Sequence, residues 1–242
     1  MRIGTVFLLA LVAGALAAVL TGCGGGGIGP NLPDPIVRFV NSSPDSNPLD
    51  FFVDTDKKAP ALAYLATSAD MTIKHGDSDV SVQDSTDQTE LDAIAGTFSQ
   101  DRKYVVMGLG LENFGTENLK RLRLMVFNYD KNPPNGTKAR LLIIHGFMRA
   151  PGFDTPNIDF RNPGNNPQFS SPNISFAAQP VTLEVDSGVS LAFQARRAST
   201  ENVYASDPGT VFDASGIYLA LVTGVEGTIG TQAPTITYIK LN

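Results

Sequence analysis

Short apolar runs, each ended after a few residues by glycine, proline, asparagine or aspartate, follow one another along the chain after residue 35. Runs of this length between turn-forming residues are typical of β-strands. The candidate strands in the first part of the chain are 36–40, 49–53, 80–82, 104–109 and 122–127. Those in the second part are 141–144, 158–160, 181–185, 189–193, 217–222 and 236–241. Helical turns are expected only at 59–69, 91–95 and 200–205.

The candidate strands show two kinds of pattern. Apolar and polar residues alternate from Val181 to Val185, which predicts a strand with one buried face and one face in water. Residues 104–107 and 217–222 are apolar at nearly every position. We therefore expect these two strands to be central, with both faces covered.

An internal repeat relates the two parts of the chain. Tyr104 and Tyr218 each have a phenylalanine six residues before them and a glycine six residues after them. The residues of this pattern are Phe98, Tyr104 and Gly110 in the first part, and Phe212, Tyr218 and Gly224 in the second. Residues 37–41 also match 141–145, and 48–51 match 157–160. The repeat predicts two domains, at 36–130 and 137–242.

The number of strands in each domain indicates the fold. Roughly seven short strands in about a hundred residues are typical of a Greek-key sandwich of immunoglobulin type, and a barrel is the alternative. A tyrosine at the head of an internal strand is similar to the tyrosine corner of such sandwiches. We expect an all-β chain of two tandem immunoglobulin-like Greek-key β-sandwich domains, arranged as a short rod.

One stretch of the first domain resembles a known family. Residues 38–45 read Arg-Phe-Val-Asn-Ser-Ser-Pro-Asp and are followed by an apolar strand at 49–53. This resembles the opening of the bacterial domain-of-unknown-function family 4397 (DUF4397). The second domain is a looser match, because Gly-Phe-Met-Arg at 146–149 replaces the Ser-Pro-Asp turn. The resemblance implies a secreted or lipid-anchored β-sandwich, often in tandem, with no assigned chemistry.

The start of the chain has the features of an export signal. Arg2 precedes an apolar segment, 6–20, that is too short to cross a membrane. It leads into Leu-Thr-Gly-Cys at 20–23, which predicts a bacterial lipoprotein signal peptide at 1–22, cleavage between Gly22 and Cys23, and lipidation of Cys23. The alternative is an ordinary secretory signal followed by a free cysteine.

The segment after the cleavage site is predicted to be a tether. Residues 23–35 mix glycine and proline and contain too little apolar surface to fold alone. Gly24, in place of Asp, resembles the residue that directs enterobacterial lipoproteins to the outer membrane. We therefore expect a lipid-anchored protein of the cell envelope, in the outer membrane of a Gram-negative bacterium.

Charge and cysteine content exclude several classes of function. A net charge of −6 argues against a nucleic-acid partner, because binding to phosphates requires clustered lysine and arginine. Cys23 is the only cysteine, so its lipidation leaves no thiol for a disulfide, a metal site or a nucleophile. We expect no cofactor, no metal site and no catalytic residue, and membrane contact through the acyl chains alone.

Four polar residues are candidates for a ligand site or for fixing turns. Asn41 and His145 end equivalent strands, and Asp50 and Asp159 lie between apolar residues of the next strands. We interpret the first pair as turn-fixing side chains, and expect the two aspartates to accept hydrogen bonds from the turn at 42–43 or its counterpart. The alternative is an envelope hydrolase that uses His145 with a nearby carboxylate.

Three apolar residues of the second domain, Phe147, Met148 and Phe153, are predicted to lie in an inserted loop. They are expected either to cover the interface between the domains or to contact a partner. The sequence as a whole therefore predicts a non-catalytic binding or spacer module at the cell surface or in the periplasm. Its expected partner is an envelope protein or a polysaccharide.

Overall fold

The computed structural model describes residues 32–113, 121–149, 154–164 and 166–242. The predicted signal peptide, the lipidation site at Cys23 with its neighbour Gly22, and Phe153 lie outside the described residues. Residues 33–242 form one compact unit. Among the described residues, no helix has the length and apolar character needed to cross a membrane.

The described residues form an all-β structure with a single short 3-10 turn at Gly230–Gln232. The strands are β1 (Ile36–Asn41), β2 (Leu49–Val53), β3 (Asp56–Leu62), β4 (Met71–Thr72), β5 (Gly76–Asp84), β6 (Glu90–Phe98), β7 (Lys103–Leu109), β8 (Arg123–Tyr129), β9 (Lys138–Met148), β10 (Ile158–Arg161), β11 (Ser170–Ile174), β12 (Val181–Asp186), β13 (Ser190–Arg197), β14 (Val203–Val211), β15 (Ile217–Val225) and β16 (Thr235–Lys240). Every predicted strand overlaps one of these.

Strands β3, β4, β6, β11 and β14 were not predicted by the apolar pattern. The helical turns expected at 59–69, 91–95 and 200–205 are wrong. Strand β3 ends within the first segment, whose remaining residues are not helical, β6 covers the second, and β14 begins within the third. Both β6 and β14 are bonded antiparallel to the preceding strand, β5 and β13. Pairing with the preceding strand therefore overrides the weak local preference of these sequences, although bulges interrupt both ladders.

The strands form four sheets of four strands each. Inner sheet 1 has the order β4-β1-β7-β8, and outer sheet 1 has the order β3-β2-β5-β6. Inner sheet 2 has the order β12-β9-β15-β16, and outer sheet 2 has the order β11-β10-β13-β14. The first eight strands and the last eight therefore follow the same order. In both halves the first strand is parallel to the seventh, and the remaining neighbours are antiparallel.

Three apolar layers separate the four sheets. Phe39, Phe51 and Val106 lie in the layer within the first half, and Phe160, Phe193 and Tyr218 in the layer within the second. The central layer joins the halves, since Met107 of β7 and Leu219 of β15 belong to one buried cluster. Each such side chain contributes roughly 1.5–3 kcal/mol by leaving water.

The central layer explains why β7 and β15 are apolar on both faces. In β15, Tyr218, Ala220 and Val222 face the layer of the second half, whereas Leu219 and Leu221 face the first half. The expected central strands are thus covered on both sides. The rod-like arrangement is wrong, because the inner sheets pack face to face and bury their outward apolar rows against each other.

The paired tyrosines make the same contact in both halves. The hydroxyl of Tyr104 accepts the backbone N–H of Ser99 at 2.8 Å, and that of Tyr218 accepts the N–H of Asp213 at 3.0 Å. Each ring meets the phenylalanine six residues earlier edge-on, with centroids 4.9 Å and 5.2 Å apart. The spacing noted in the sequence therefore corresponds to one repeated corner that joins β6 to β7 and β14 to β15.

The glycines of the same pattern lie where the central strands end, Gly110 directly after β7 and Gly224 one residue before the end of β15. Gly110 and Gly224 have φ of +109° and +108°, a region that residues with a side chain rarely adopt. A Cβ atom would lie 2.3 Å from the backbone oxygen of Arg121 at Gly110 and 2.5 Å from that of Ala233 at Gly224. Both positions require glycine for its conformation and for the close approach of the returning chain.

Candidate functional site

Asn41 lies at the end of β1 and is fully buried. Its side-chain oxygen accepts the backbone N–H of Ser43 at 2.9 Å, and its amide nitrogen donates to the backbone oxygen of Leu62 at 2.9 Å. The side chain thus joins the turn after β1 to the end of β3. Both of its polar atoms are occupied within the protein, and this leaves it without a surface to offer a ligand.

His145 occupies the corresponding place on β9 and is also fully buried. Its Nε2 lies 2.9 Å from the backbone oxygen of Pro156, so this nitrogen carries the proton and donates it to the carbonyl. Burial lowers the pKa of His145 to about 4, and the bond to Pro156 opposes the shift. The imidazole is therefore neutral at pH 7.

The surroundings of His145 are aromatic. The ring of Phe176 meets the imidazole edge-on with centroids 5.8 Å apart, and Phe147 stacks at 6.3 Å. Nδ1 is buried and has no hydrogen-bond partner among the described residues. A hydrolytic histidine needs a carboxylate or another orienting group at one ring nitrogen and a nucleophile at the other. In His145, Nδ1 has no orienting group in the described part of the chain and Nε2 is bonded to the carbonyl of Pro156, so neither requirement is met.

Asp50 and Asp159 do not bond the turn at 42–43, so that expectation is wrong. Oδ1 of Asp50 accepts the backbone N–H of Ala61 at 2.7 Å, and Oδ2 lies 2.5 Å from Nζ of Lys57. The reason is a bulge in β3, which leaves the N–H of Ala61 unpaired beside Asp50. Burial raises the pKa of Asp50, but the hydrogen bonds from Lys57 and Ala61 outweigh it and hold the pKa below the usual value.

Two carboxylates that were not predicted as site residues, Asp45 and Glu112, hold the turn at 42–47. Asp45 accepts the backbone N–H groups of Glu112 and Asn113 at 2.9 Å and 3.0 Å. In return, Glu112 accepts the N–H of Asn47 at 3.1 Å. Burial, followed by the nearby carboxylates of Asp84 and Asp45, raises the pKa of Glu112. The sequence feature that could have indicated this role is the aspartate of the Ser-Pro-Asp motif, Asp45, which fixes the turn through these hydrogen bonds.

Phe147 and Met148 are not in a loop, because β9 continues through both of them and both are fully buried. The ring of Phe147 stacks on Tyr204 with centroids 4.5 Å apart, in the apolar layer of the second half. Met148 lies in a small cluster with Val225 and with Leu111 of the first half. Neither side chain is accessible to a partner.

An open groove follows β8, at the edge of inner sheet 1. It consists of two adjoining hollows of about 500 Å³ and about 540 Å³ that share Asn128 and Gln179. The first hollow lies between β8 and β6, and the second between β8 and β12. Its charged and amide side chains are Arg123, Asn128, Asp130, Arg140, Gln179 and Glu184. We call this feature the β8 groove.

The polar side chains that line the β8 groove are partly held in place by other groups of the protein. Arg140 bonds the backbone oxygens of Asp130 and Asn132 at 3.1 Å and 3.0 Å and pairs with Glu184 at 3.4 Å, so the guanidinium is fixed. In the described part of the chain, no group of three or more His, Cys, Asp or Glu side chains is placed to hold a metal ion. The groove therefore offers fixed polar groups and strand edges.

Comparison with solved structures gives distant similarities, among them the following two. A carbohydrate-binding module of family CBM26 from Eubacterium rectale Amy13K, crystallised with maltoheptaose, is 10% identical over 86% of this chain and 97% of that chain, with a TM-score of 0.27. A putative cell adhesion protein from Bacteroides ovatus ATCC 8483 is 9% identical over 87% and 96%, with a TM-score of 0.24. Overlaps this low carry no argument about function. No curated protein matches the chain in sequence.

A protein-family model matches one continuous segment of the chain. The matched segment begins two residues after Pro33, includes the first eight strands and extends into β10. The model that matches residues 35–160, just over half of the chain, is that of the domain of unknown function DUF4397, and the chain belongs to this family.

Proposed function

We propose that this protein is a lipid-anchored, non-catalytic binding module of the bacterial cell envelope, and that the β8 groove is its binding surface. The proposal rests on a difference in exposure between the polar residues predicted from the sequence and the polar residues of the groove. Asn41, His145 and Asp50 are buried and bonded to the protein itself. The polar groups of the groove face an open hollow beside a sheet edge.

The proposed module consists of two DUF4397 domains of immunoglobulin-like Greek-key type, at 36–130 and 137–242. The identical strand order of the two halves supports this division. The matching corners at Tyr104 and Tyr218 also support it. Their face-to-face packing makes the pair one body in which the second domain provides one wall of the groove.

The proposed anchor is a diacylglycerol on Cys23, followed by the tether 23–35, in the outer membrane of a Gram-negative bacterium. Incorporation of labelled palmitate tests it directly. We expect label in the wild-type protein and none in Cys23→Ser expressed in the same cells. Equal labelling of the two proteins, or an intact protein whose mature chain starts at another residue, would contradict the anchor.

The alternative function, an envelope hydrolase using His145, has less support. The imidazole is buried, its pKa is lowered to about 4, and its proton is donated to Pro156. The rings of Phe147 and Phe176 pack against it. A nucleophile would have no access to it in this arrangement.

Photo-crosslinking in intact cells tests the binding function. A photoreactive residue at Gln179, which is exposed in both hollows of the groove, is compared with one at Val211, which is 60% exposed on β14. We expect a discrete crosslinked product from position 179 and none from position 211. Failure at 179 and at the second groove position 128, or the same products from 211, would contradict the groove as the binding surface.

A further inference from the structure

The internal repeat allows two equivalent sheet edges to be compared. Inner sheet 1 ends at β8 and inner sheet 2 ends at β16. Tyr104 pairs with Asn128 and Tyr218 pairs with Lys240, so Asn128 and Lys240 are equivalent positions. Arg38 and Leu142 are equivalent as well, because each follows the residue that lies beside its tyrosine in the parallel pair.

The β16 edge is closed by a side chain of the first half. The guanidinium of Arg38 donates a hydrogen bond to the backbone oxygen of Lys240. Asp70 holds the same guanidinium, with Nη2 2.6 Å and Nε 2.7 Å from its Oδ1, and also binds Lys103 at 3.1 Å. The outward carbonyl of Lys240 therefore already has a fixed, charged donor.

The β8 edge has no such donor at the equivalent position. Leu142 stands where Arg38 stands in the other half, and Thr182 lies opposite it in register, in the place of Asp70. Leu142 cannot donate a hydrogen bond to Asn128. Leu142 and Thr182 line the hollow of about 540 Å³. The smaller side chains at these two positions, in place of the Arg38–Asp70 ion pair, leave an open space beside the edge.

The backbone of β8 presents a regular set of polar groups to this space. The N–H of Leu124 donates to Oδ2 of Asp92 on β6 at 2.7 Å, on the side away from β7. Residues two apart on a strand direct their backbone groups to the same side. The N–H and C=O groups of Val126 and Asn128 therefore face the groove. One N–H and one C=O group recur about every 6.4–6.8 Å along the edge.

We propose that the edge of β8 binds an extended peptide of a partner protein, which adds to inner sheet 1 as a fifth strand at Val126 and Asn128. The proposal rests on the binding function above and names its ligand class. Another peptide backbone carries donors and acceptors at the same two-residue repeat, so it matches this edge. Leu142 and Thr182 form the floor, and Arg140 and Glu184 flank it.

A polysaccharide fits the groove less well. Sugar rings are commonly held by exposed aromatic faces, whereas the large apolar side chains exposed on the described surface are all aliphatic. They are Leu32, Val189, Val203, Val211 and Ile229. The one tyrosine of the second hollow, Tyr129, is 7% exposed and donates its hydroxyl to the backbone oxygen of Leu241 at 3.3 Å.

The test uses random twelve-residue peptides displayed on phage and selected on the purified full-length protein in detergent. The enriched peptide is synthesised unmodified and with N-methyl groups at odd or at even positions. Because only one set of N–H groups faces β8, we expect one methylated series to lose about tenfold in affinity and the other to bind within about threefold. Amide exchange at Val126 and Asn128 should slow at least about tenfold on binding.

Two variants of Asn128 separate backbone from side-chain recognition. Asn128→Pro removes the outward N–H, and an edge strand tolerates proline at such a position. Asn128→Ala keeps the N–H and removes only the polar side chain. We expect the first to weaken binding about five- to tenfold and the second to leave it within about twofold. The double variant Leu142→Arg with Thr182→Asp imitates the closed edge and should abolish binding. Thermal denaturation checks that each variant is folded, and the Asn128 pair carries the test if the double variant is not.

Three results would overturn the proposal. They are the absence of any peptide that prefers the wild type to the closed-edge variant, equal binding of both methylated series, and equal losses in the two Asn128 variants. The cell experiment at Gln179 separates the two levels of inference. A crosslink to a polysaccharide would refute the peptide strand and leave the binding function standing, whereas no crosslink together with no peptide would refute both.

Discussion

Asp50 and Asp159 occupy equivalent positions on β2 and β10, and each accepts the N–H of a residue that a bulge has displaced from the neighbouring ladder. For Asp50 the donor is Ala61, with φ of +46°, at 2.7 Å. For Asp159 it is Asn173, with φ of +59°, at 2.8 Å. In both strands the register shifts at the same place. A buried carboxylate in an apolar strand therefore has a structural task that the sequence pattern alone did not reveal.

Removing these carboxylates should destabilise the protein unequally. Asp50 is 2% exposed and also binds Lys57, whereas Asp159 is half-buried and its second oxygen accepts the N–H of Ser199 at 3.0 Å. We expect Asp50→Ala to lower the free energy of unfolding by about 2–4 kcal/mol and Asp159→Ala by about 1–2 kcal/mol. Urea unfolding measures both. Equal small losses would show that neither bulge needs its acceptor.

Alanine at the two turn glycines should be costly for a steric reason. Gly110→Ala and Gly224→Ala place a Cβ 2.3 Å and 2.5 Å from a backbone oxygen, in addition to the unfavourable φ. Gly76 has φ of +116° with nothing within 4 Å of its Cβ position, so Gly76→Ala isolates the cost of conformation. We expect about 1–2 kcal/mol for Gly76 and about 3 kcal/mol or more for the other two, by thermal or urea unfolding. A Gly76 variant as unstable as the others would refute the steric account.

The sequence predicted those features of the fold that repeat at fixed spacing. The phenylalanine, tyrosine and glycine pattern around Tyr104 and Tyr218 identified one corner and one turn in each half, because each residue type there has a specific geometric task. Strands without a clear apolar run or a clear alternation escaped detection. In β14, Asp207, Pro208 and Gly209 interrupt the apolar pattern, and only pairing with β13 makes the segment a strand.

The sequence also could not show what covers an apolar face. Residues 217–222 were expected to be buried on both sides, which is correct, but the pattern contains no information on which surface provides the second cover. The same gap accounts for Phe147 and Met148, whose position next to Arg149 and Pro151 resembled a loop. The β8 groove depends on the difference between Arg38 and Leu142, and that difference has meaning only once both edges are seen together.

Acid should weaken the fold through His145. Its pKa is about 4 in the folded protein and about 6.5 in an unfolded chain, so the unfolded state binds a proton first as the pH falls. The stability from this group is complete above pH 6.5, declines between about 6.5 and 4, and is then lost, a total of about 3 kcal/mol. His145→Asn, which places here the residue of the first half, removes the effect.

The measurement is urea unfolding of wild type and His145→Asn at several pH values from 7.5 to 4. Carboxylates whose pKa values are lowered, such as Asp50 and Asp84, also lose stability in acid, but they do so in both proteins. We therefore expect the difference between the two proteins to shift by about 2–3 kcal/mol in favour of the variant on acidification. A difference that does not change with pH would show that the histidine titrates alike in both states.

The central layer predicts that the two halves unfold together. Leu219 of β15 and Met107 of β7 belong to the same buried cluster, so opening either half exposes the apolar face of the other. Leu219→Ala should cost about 2–5 kcal/mol, through lost burial and the cavity that remains. Because the layer is shared, Leu219→Ala should lower the free energy of protection of the slowest-exchanging amides in β7 and in β15 by the same amount. Native-state hydrogen exchange measures both values. Val189→Ala, at a side chain that is 48% exposed, serves as the control and should change neither. A loss confined to β15 would mean that the first half is stable alone, and the inner sheets would then be in contact without being coupled.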